Sequence, residues 1–130
     1  MAAIPSEYHD LFERSTIAHI ATKLPNGFPH VTPVWIDYDV EEELLLVNTE
    51  RDRRKERNVR EDPKVGVSMT DPDNPYRRVS VYGEVVEHTT EDAREHIDEL
   101  SERYTGQEYT ESNEIVTERV LLKISPNHVF

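Results

Sequence analysis

Turn signals divide the sequence into short stretches that have the composition of β-strands. The clearest signal is Pro25-Asn26-Gly27, which predicts a hairpin because asparagine and glycine tolerate the positive φ of tight turns. Polar segments at residues 41–43 and 71–75 separate further stretches of the same kind. Six strands are predicted in this way, at residues 16–22, 29–38, 44–48, 65–70, 77–88 and 119–125. This succession of hairpins favours a mainly β fold with flanking helices, a small antiparallel barrel that is closed or half-closed.

Three helices are predicted in addition to these strands, and the third of them is the basic segment described below. Residues 6–14 form a short leading helix with Ser6 as its N-cap, and residues 90–104 form a longer one capped by Thr90. The longer helix carries an apolar stripe expected to face the core, formed by Ala93, Ile97, Leu100 and Tyr104. Residues 105–118 are polar and lack periodicity, so a mobile loop is expected there.

Two residues interrupt the predicted strands. Pro33 has no N–H for a strand ladder, so it belongs at a sheet edge or a bulge, where backbone groups are free to meet a planar ligand. An ordinary edge proline fits the sequence equally well. Gly83 predicts a bend or bulge in the longest strand.

Length and composition indicate one domain over residues 1–130. The hydrophobic content of 35% is low, so a second copy is a natural way to complete the core. A net charge of −12 argues against nucleic-acid binding and against an anionic membrane surface. No apolar run suits a membrane span, residues 1–6 do not resemble a signal peptide, and cysteine is absent, so we expect a cytoplasmic protein. The 27 acidic residues, with eleven arginines against four lysines, predict a salt-adapted protein.

Basic charge is concentrated in one segment of this acidic chain. Six of its fifteen cations fall within ten positions: Arg51, Arg53, Arg54, Lys55, Arg57 and Arg60. The segment is predicted to be a helix with Thr49 and Asp52 as a capping box and Asp62-Pro63 as its end. One interpretation is a phosphate site at the helix start. The other is a solvated helix whose cations form pairs such as Arg53–Glu50 and Arg57–Glu61.

The sequence offers no catalytic motif. Its six histidines are scattered, so no metal site is predicted, and four glycines cannot supply a glycine-rich phosphate loop. No nucleophile or general base can be assigned, so no catalytic residue is predicted. Any enzymatic reaction would then depend on a cofactor.

Residues 55–65 resemble the K-x-x-N-[hydrophobic]-x-x-[D/N]-P-x-V signature of the pyridoxamine 5′-phosphate oxidase-like split β-barrel family. Thr49, Arg53, Lys55 and Arg57 are most similar to the branch that uses the deazaflavin coenzyme F-420. Residues 31–35, 78–85 and 119–126 match the family's second, fifth and final strands, so the resemblance covers nearly the whole chain in order.

The resemblance implies a six-stranded antiparallel split β-barrel of the FMN-binding type, and a homodimer with two cofactors at the subunit interface. The cofactor phosphate would contact Arg53, Lys55 and Arg57, with Thr49 beside it. Thr32, Pro33 and Val34 would lie against the ring system. A partner subunit would close the pocket through its residues 74–77, which include Tyr76 and Arg77 in this numbering. Trp35 is expected in the core or the interface.

The implied function is a flavin- or deazaflavin-dependent oxidoreductase that transfers hydride to or from a small organic substrate. The resemblance leaves FMN and F-420 as alternatives, since family members bind FMN, FAD, F-420 or haem. Pyridoxamine phosphate oxidases proper are longer at the C-terminus, so that activity is not expected. Two alternatives remain: a flavin-binding or storage protein without turnover, and an acidic interaction domain without cofactor.

Overall fold

The computed structural model describes residues 2–130 and all of their side chains except that of Ser112. Seven strands are present: β1 Ala18–Lys23, β2 Pro29–Val34, β3 Asp37–Asp39, β4 Leu44–Glu50, β5 Lys64–Asp71, β6 Asn74–Thr89 and β7 Arg119–Val129. After a 3-10 turn at Ser6–Tyr8, the helices are α1 His9–Glu13, α2 Arg54–Glu61, α3 Ala93–Thr105 and α4 Tyr109–Ser112. The mainly β class is confirmed. No helix in the described part of the chain is long and apolar enough to cross a membrane.

The seven strands form one antiparallel sheet in the order β2-β1-β5-β6-β7-β4-β3. Its two edge strands, β2 and β3, are joined only by Trp35 and Ile36. Because consecutive Cα atoms are about 3.8 Å apart, Val34 and Asp37 lie within about 11 Å of each other. The sheet must therefore curl until its edges meet, which gives a barrel split between β2 and β3.

The strand count differs from the prediction at this split. The predicted strand 29–38 is two strands, because the chain leaves the ladder at Trp35 and Ile36. Ile36 is fully buried, and its N–H donates to the Tyr104 hydroxyl at 3.3 Å instead of to a neighbouring strand. A single side chain from α3 therefore fixes the corner at which the barrel opens.

The barrel is filled by the inward side chains of its strands. The predicted alternation in the last strand is confirmed, since Val120, Leu122 and Ile124 are all fully buried. Leu121 faces the opposite side of the sheet and packs with Leu46 and with Ala93 of α3. Thus α3 covers the outer face of β4 and β7, as its predicted apolar stripe requires.

Gly83 lies at an irregularity between β6 and β7, as predicted. A Cβ at this position would lie 2.3 Å from the carbonyl oxygen of Ser125, so only glycine fits. The prediction that Pro126 ends the last strand is wrong, because β7 continues to Val129. Pro126 lies opposite Gly83, where the register shifts, so the ladder tolerates its missing N–H.

The predicted helix caps are wrong. The residues before the first turn and before α3 are Pro5 and Asp92, without side-chain capping bonds, rather than Ser6 and Thr90. Thr49 belongs to β4, so it does not cap α2, which starts at Arg54. The predicted loop 105–118 contains the short helix α4.

The start of α2 is joined to the preceding turn by a contact that the sequence pattern did not indicate. Glu56 is buried, and its Oε1 accepts the backbone N–H of Asp52 at 2.8 Å. Its carboxylate also accepts the Nε–H of Arg60 at 2.6 Å. The predicted end of the helix before Pro63 is confirmed, with Asp62 at the C-cap.

Candidate functional site

A cavity of about 340 Å³ lies where the ends of β2, β4 and β7 meet the start of α2. Side chains from α3 and α4 complete its wall. The lining residues are Ile17, Pro33, Val34, Trp35, Asn48, Thr49, Arg53, Lys55, Ile97, Tyr109 and Arg119. The wall thus combines three cations with an apolar and aromatic surface.

Five of the nine predicted site residues meet in this cavity. Pro33 and Val34 end the edge strand β2, which confirms the edge position expected for Pro33. Thr49 comes from β4, and Arg53 and Lys55 come from the start of α2. Residues predicted from separate segments are therefore brought together by the fold.

The other four predicted residues do not line the cavity. Thr32 precedes Pro33 in β2, but its side chain is not part of the wall. Arg57 is exposed on α2 and lies beside a separate depression. Tyr76 is 87% exposed, and the Arg77 guanidinium is bound by carboxylates of its own chain. The expected contribution of Tyr76 and Arg77 belongs to a partner subunit, so it stays a prediction.

Thr49 carries a hydroxyl that lacks a partner within the described residues. The residue is 2% exposed, and its Oγ1 makes no hydrogen bond. Burying a hydroxyl without a hydrogen bond costs about 1–3 kcal/mol. Because Thr49 lines a cavity that also contains three cations, an anionic ligand bound there is suited to supply the missing bond.

Two of the three cations in the cavity wall, Lys55 and Arg119, form no ion pair with the described residues. Lys55 is half-buried, and among residues 2–130 it has neither an ion pair nor a hydrogen bond. Burial, together with the charges of Arg53 and Arg119, lowers the pKa of Lys55. Burial is also the main cause that lowers the pKa of Arg119, which is 7% exposed. An anion between these groups would relieve both effects.

Glu50 is the carboxylate that pairs with Arg53, and it also binds backbone N–H groups. Its side chain lies 3.4 Å from the Arg53 guanidinium and accepts the backbone N–H groups of Val116 and Thr117. The N–H of Thr117 is the main cause that lowers the pKa of Glu50, so the side chain stays ionised. The Arg53–Glu50 pair of the alternative interpretation is therefore present, whereas the described side chains form no Arg57–Glu61 pair.

Sequence reasoning missed three polar residues of the wall: Asn48, Tyr109 and Arg119. The Arg119 guanidinium donates through Nε to Asn48 Oδ1 at 2.9 Å and lies 4.9 Å from the centre of the Tyr109 ring. A signal was present for two of them, since Asn48 and Arg119 are polar residues beside apolar runs of buried strands. Tyr109 gave none, because it lies in the polar segment interpreted as a loop.

Trp35 contributes an aromatic surface to the same wall. Its ring stacks on Tyr104, with centroids 5.2 Å apart and planes 17° apart. No carboxylate or imidazole is found among the described lining residues. The site can therefore bind an anionic group beside a flat apolar one, but it does not supply an acid–base pair.

Comparison with known proteins shows the family and the fold of this chain. The sequence model of the pyridoxamine 5′-phosphate oxidase family matches residues 4–130. No curated protein matches the sequence at a significant level.

Solved structures show the same fold. One described as an F420 reductase is 32% identical, covers 98% of each chain and has a TM-score of 0.85. A conserved hypothetical protein from Mycobacterium tuberculosis is 26% identical over 99% of this chain and 84% of its own, with a TM-score of 0.77. HupZ from Group A Streptococcus also shares the fold, with a TM-score of 0.72. It is 16% identical over 98% of this chain and 92% of its own. The split barrel and the resemblance to the F-420-related branch are thus confirmed, and the chain belongs to the pyridoxamine 5′-phosphate oxidase family.

Proposed function

We propose that this protein is a flavin- or deazaflavin-dependent oxidoreductase that acts on a small organic substrate. The observation that carries the proposal is the cavity in which an unpartnered buried hydroxyl and three cations adjoin an apolar wall. This combination matches a cofactor with a phosphate at one end and a planar ring at the other.

The residues of the wall fit such a group. Arg53, Lys55 and the Thr49 hydroxyl would hold the phosphate, because arginine and lysine bind phosphate through charge-assisted hydrogen bonds. Pro33 and Val34 would flank the ring, and the edge position of β2 leaves their backbone free of a second strand. The cofactor, when bound, supplies the hydride chemistry.

The lining also supports a redox reaction over acid–base chemistry. Hydride transfer needs no titrating side chain at the reacting carbon, and the described wall contains neither carboxylate nor imidazole. Among the two candidate cofactors, similarity to an F420 reductase at 32% identity supports coenzyme F-420 over FMN.

We also propose that the protein works as a homodimer. In the sheet register Val31, Ala21, Gly66, Tyr82 and His128 lie opposite one another and form a row across the outer face. Val31 is 60% exposed and Tyr82 is 51% exposed, and exposed apolar patches mark interfaces. Sedimentation of the wild type and of Val31→Glu/Tyr82→Glu should give a dimer and a monomer, and a monomeric wild type would contradict the proposal.

A binding protein without turnover is the second candidate, favoured by the same lack of acid–base groups. The two are separated by adding reductant and acceptor to the loaded protein. A bound cofactor that is reduced and reoxidised supports the enzyme, while one that stays inert supports the binding protein.

The first test is a fluorescence titration with FMN and, separately, with F-420 at high salt. We expect Arg53→Ala/Lys55→Ala to weaken binding by about 2–4 kcal/mol, because two charge-assisted contacts are lost. Arg57→Ala/Lys64→Ala is the matched control, since it also removes one arginine and one lysine, both outside the cavity. Equal weakening in both variants would show general electrostatics instead of a site, and binding of neither cofactor would reject the proposed function.

A further inference from the structure

A chain of buried and half-buried polar side chains leads from α3 to the cavity. His96 is only 9% exposed, and its Nε2 lies 3.1 Å from Asp37 Oδ2. Its Nδ1 lies 3.1 Å from the Asn48 amide nitrogen. Asn48 in turn accepts the Nε–H of Arg119 at 2.9 Å. The chain thus ends on a cation of the cavity wall.

The chemistry of its two ends fixes the direction of every bond. A guanidinium can only donate, so Asn48 presents its oxygen to Arg119 and its nitrogen to His96. A carboxylate can only accept, so His96 carries its proton on Nε2, toward Asp37. His96 Nδ1 is therefore an unprotonated acceptor. Asn48 is fully used, because its second N–H donates to the Ala93 carbonyl at 2.7 Å.

We propose that Asn48 and His96 are positioning residues that hold the Arg119 guanidinium in the cavity, and that protonation of His96 releases it. The proposal rests on the proposed function, since it assigns to Arg119 a contact with the anionic part of the cofactor. Neither Asn48 nor His96 needs to touch the reacting atoms in this role.

Protonation at Nδ1 would place two donors face to face. Asn48 could meet the new N–H only by reversing its amide, which would turn its nitrogen toward the Arg119 Nε–H and its oxygen toward the Ala93 carbonyl. Two hydrogen bonds would be lost for the one that is gained. Arg119 would keep its contact with the Tyr109 ring but lose the bond that sets its direction.

Charged groups face His96 from β3, α3 and β7. Asp37 faces it from β3, and Arg103 of α3 lies 3.3 Å from the other Asp37 oxygen. Burial opposes ionisation of Asp37, but the bond from His96 and the charge of Arg103 outweigh it, so the pKa of Asp37 is lowered. On β7 the facing cation is Arg119, and Lys123 lies further along, paired with Glu87 at 3.4 Å.

The first test uses the ligand-free protein and does not depend on a cofactor. Nitrogen-15 NMR should show His96 as the Nε2–H tautomer near neutral pH, and the Arg119 Nε–H signal should shift as His96 gains its second proton. In Asn48→Asp both oxygens accept, so His96 should be doubly protonated under conditions where it is neutral in the wild type. An Nδ1–H tautomer in the wild type, or an Arg119 signal that ignores His96, would overturn the inference.

The second test measures cofactor affinity against pH, with whichever of FMN or F-420 binds. Wild-type affinity should fall about tenfold as His96 becomes protonated, the loss of one charge-assisted contact. His96→Gln cannot titrate and should remove this fall, while His88→Gln, at an exposed site, should keep it. Any titration of the ligand's own phosphate affects all three proteins equally.

The outcomes separate the two proposals. If neither cofactor binds at any pH, the proposed function is rejected. The NMR result then decides alone whether His96 is coupled to Arg119 through Asn48. Binding with the same pH profile in wild type and His96→Gln keeps the function and rejects the role of His96.

Discussion

Replacing Thr49 with valine should change stability and binding in opposite directions. Valine has nearly the shape of threonine and lacks only the hydroxyl. In the ligand-free protein this hydroxyl is buried and unpartnered within the described residues, so its removal relieves a desolvation cost. In the loaded protein the same hydroxyl would bind the phosphate, so its removal leaves an anionic oxygen without a partner.

The expected magnitudes follow from these two states. Loss of an unsatisfied buried hydroxyl should stabilise the free protein by about 1 kcal/mol, which raises Tm by about 3–5 °C for a domain of this size. Loss of a hydrogen bond to a charged group should weaken cofactor binding by about 1.5–3 kcal/mol, or roughly 10- to 150-fold.

Two other threonines provide matched controls. Thr16 is also 2% exposed with an unpartnered Oγ1, but it does not line the cavity, so Thr16→Val should raise Tm and leave binding unchanged. Thr22 is 1% exposed and accepts the Asn58 amide at 2.9 Å, so Thr22→Val should lower Tm. The assays are thermal unfolding without ligand and fluorescence titration with cofactor. Unchanged affinity in Thr49→Val, or an equal loss in Thr16→Val, would refute the reasoning.

Three further predictions concern stability. Glu56→Ala should lower the free energy of unfolding by about 1–3 kcal/mol, because the buried acceptor for the Asp52 N–H and for Arg60 is lost. Glu61→Ala on the same helix should change it by less than about 0.5 kcal/mol, and urea titrations measure both. The backbone N–H of Asp73, and after it the Arg77 side chain, hold the pKa of Asp71 below its usual value. The ionised Asp71 therefore contributes its full stabilisation of the fold above the unfolded-state pKa of about 4. This stabilisation is lost as pH falls through the lower folded-state pKa. The Tm difference between wild type and Asp71→Asn should therefore shrink from neutral pH to about pH 2. If the protein is salt-adapted, the urea midpoint of wild-type unfolding should be higher in about 2 M KCl than in about 0.1 M KCl. An unchanged midpoint would reject that hypothesis.

Local chemistry was enough to predict the elements that depend on one residue's backbone. Proline without an N–H belongs at a sheet edge, and glycine fits where two backbones approach closely, so Pro33 and Gly83 were placed correctly. The end of α2 before Pro63 follows from the same local constraint. Such features need no knowledge of which strands pair.

The predictions that were wrong concern features that depend on tertiary contacts. The Tyr104 hydroxyl breaks the second predicted strand, and it comes from a helix 68 residues further along. The start of α2 is held by Glu56, which accepts the N–H of Asp52 just before the helix, whereas the pattern predicted Thr49 as a cap.

Prediction of the site residues from the sequence has the same limit, because it does not reveal which strands pair. Thr49, Arg53 and Lys55 are close in sequence and could be grouped from it. Arg119 joins them only because β4 pairs with β7, which places Thr49 opposite Val120. A register between strands 70 residues apart cannot be read from composition or spacing.

The position of β7 has a consequence for how the protein is made. β7 is last of the seven strands in sequence, yet it lies between β6 and β4 in the sheet. Before it is synthesised, the nascent chain can form only two separate pieces, β2-β1-β5-β6 and β4-β3. The cavity draws Pro33 from one piece, Thr49 from the other and Arg119 from β7 itself. Folding on the ribosome should therefore leave two further open sheet edges, β6 and β4, and no ligand site until β7 emerges. A chaperone that shields strand edges would act in that interval.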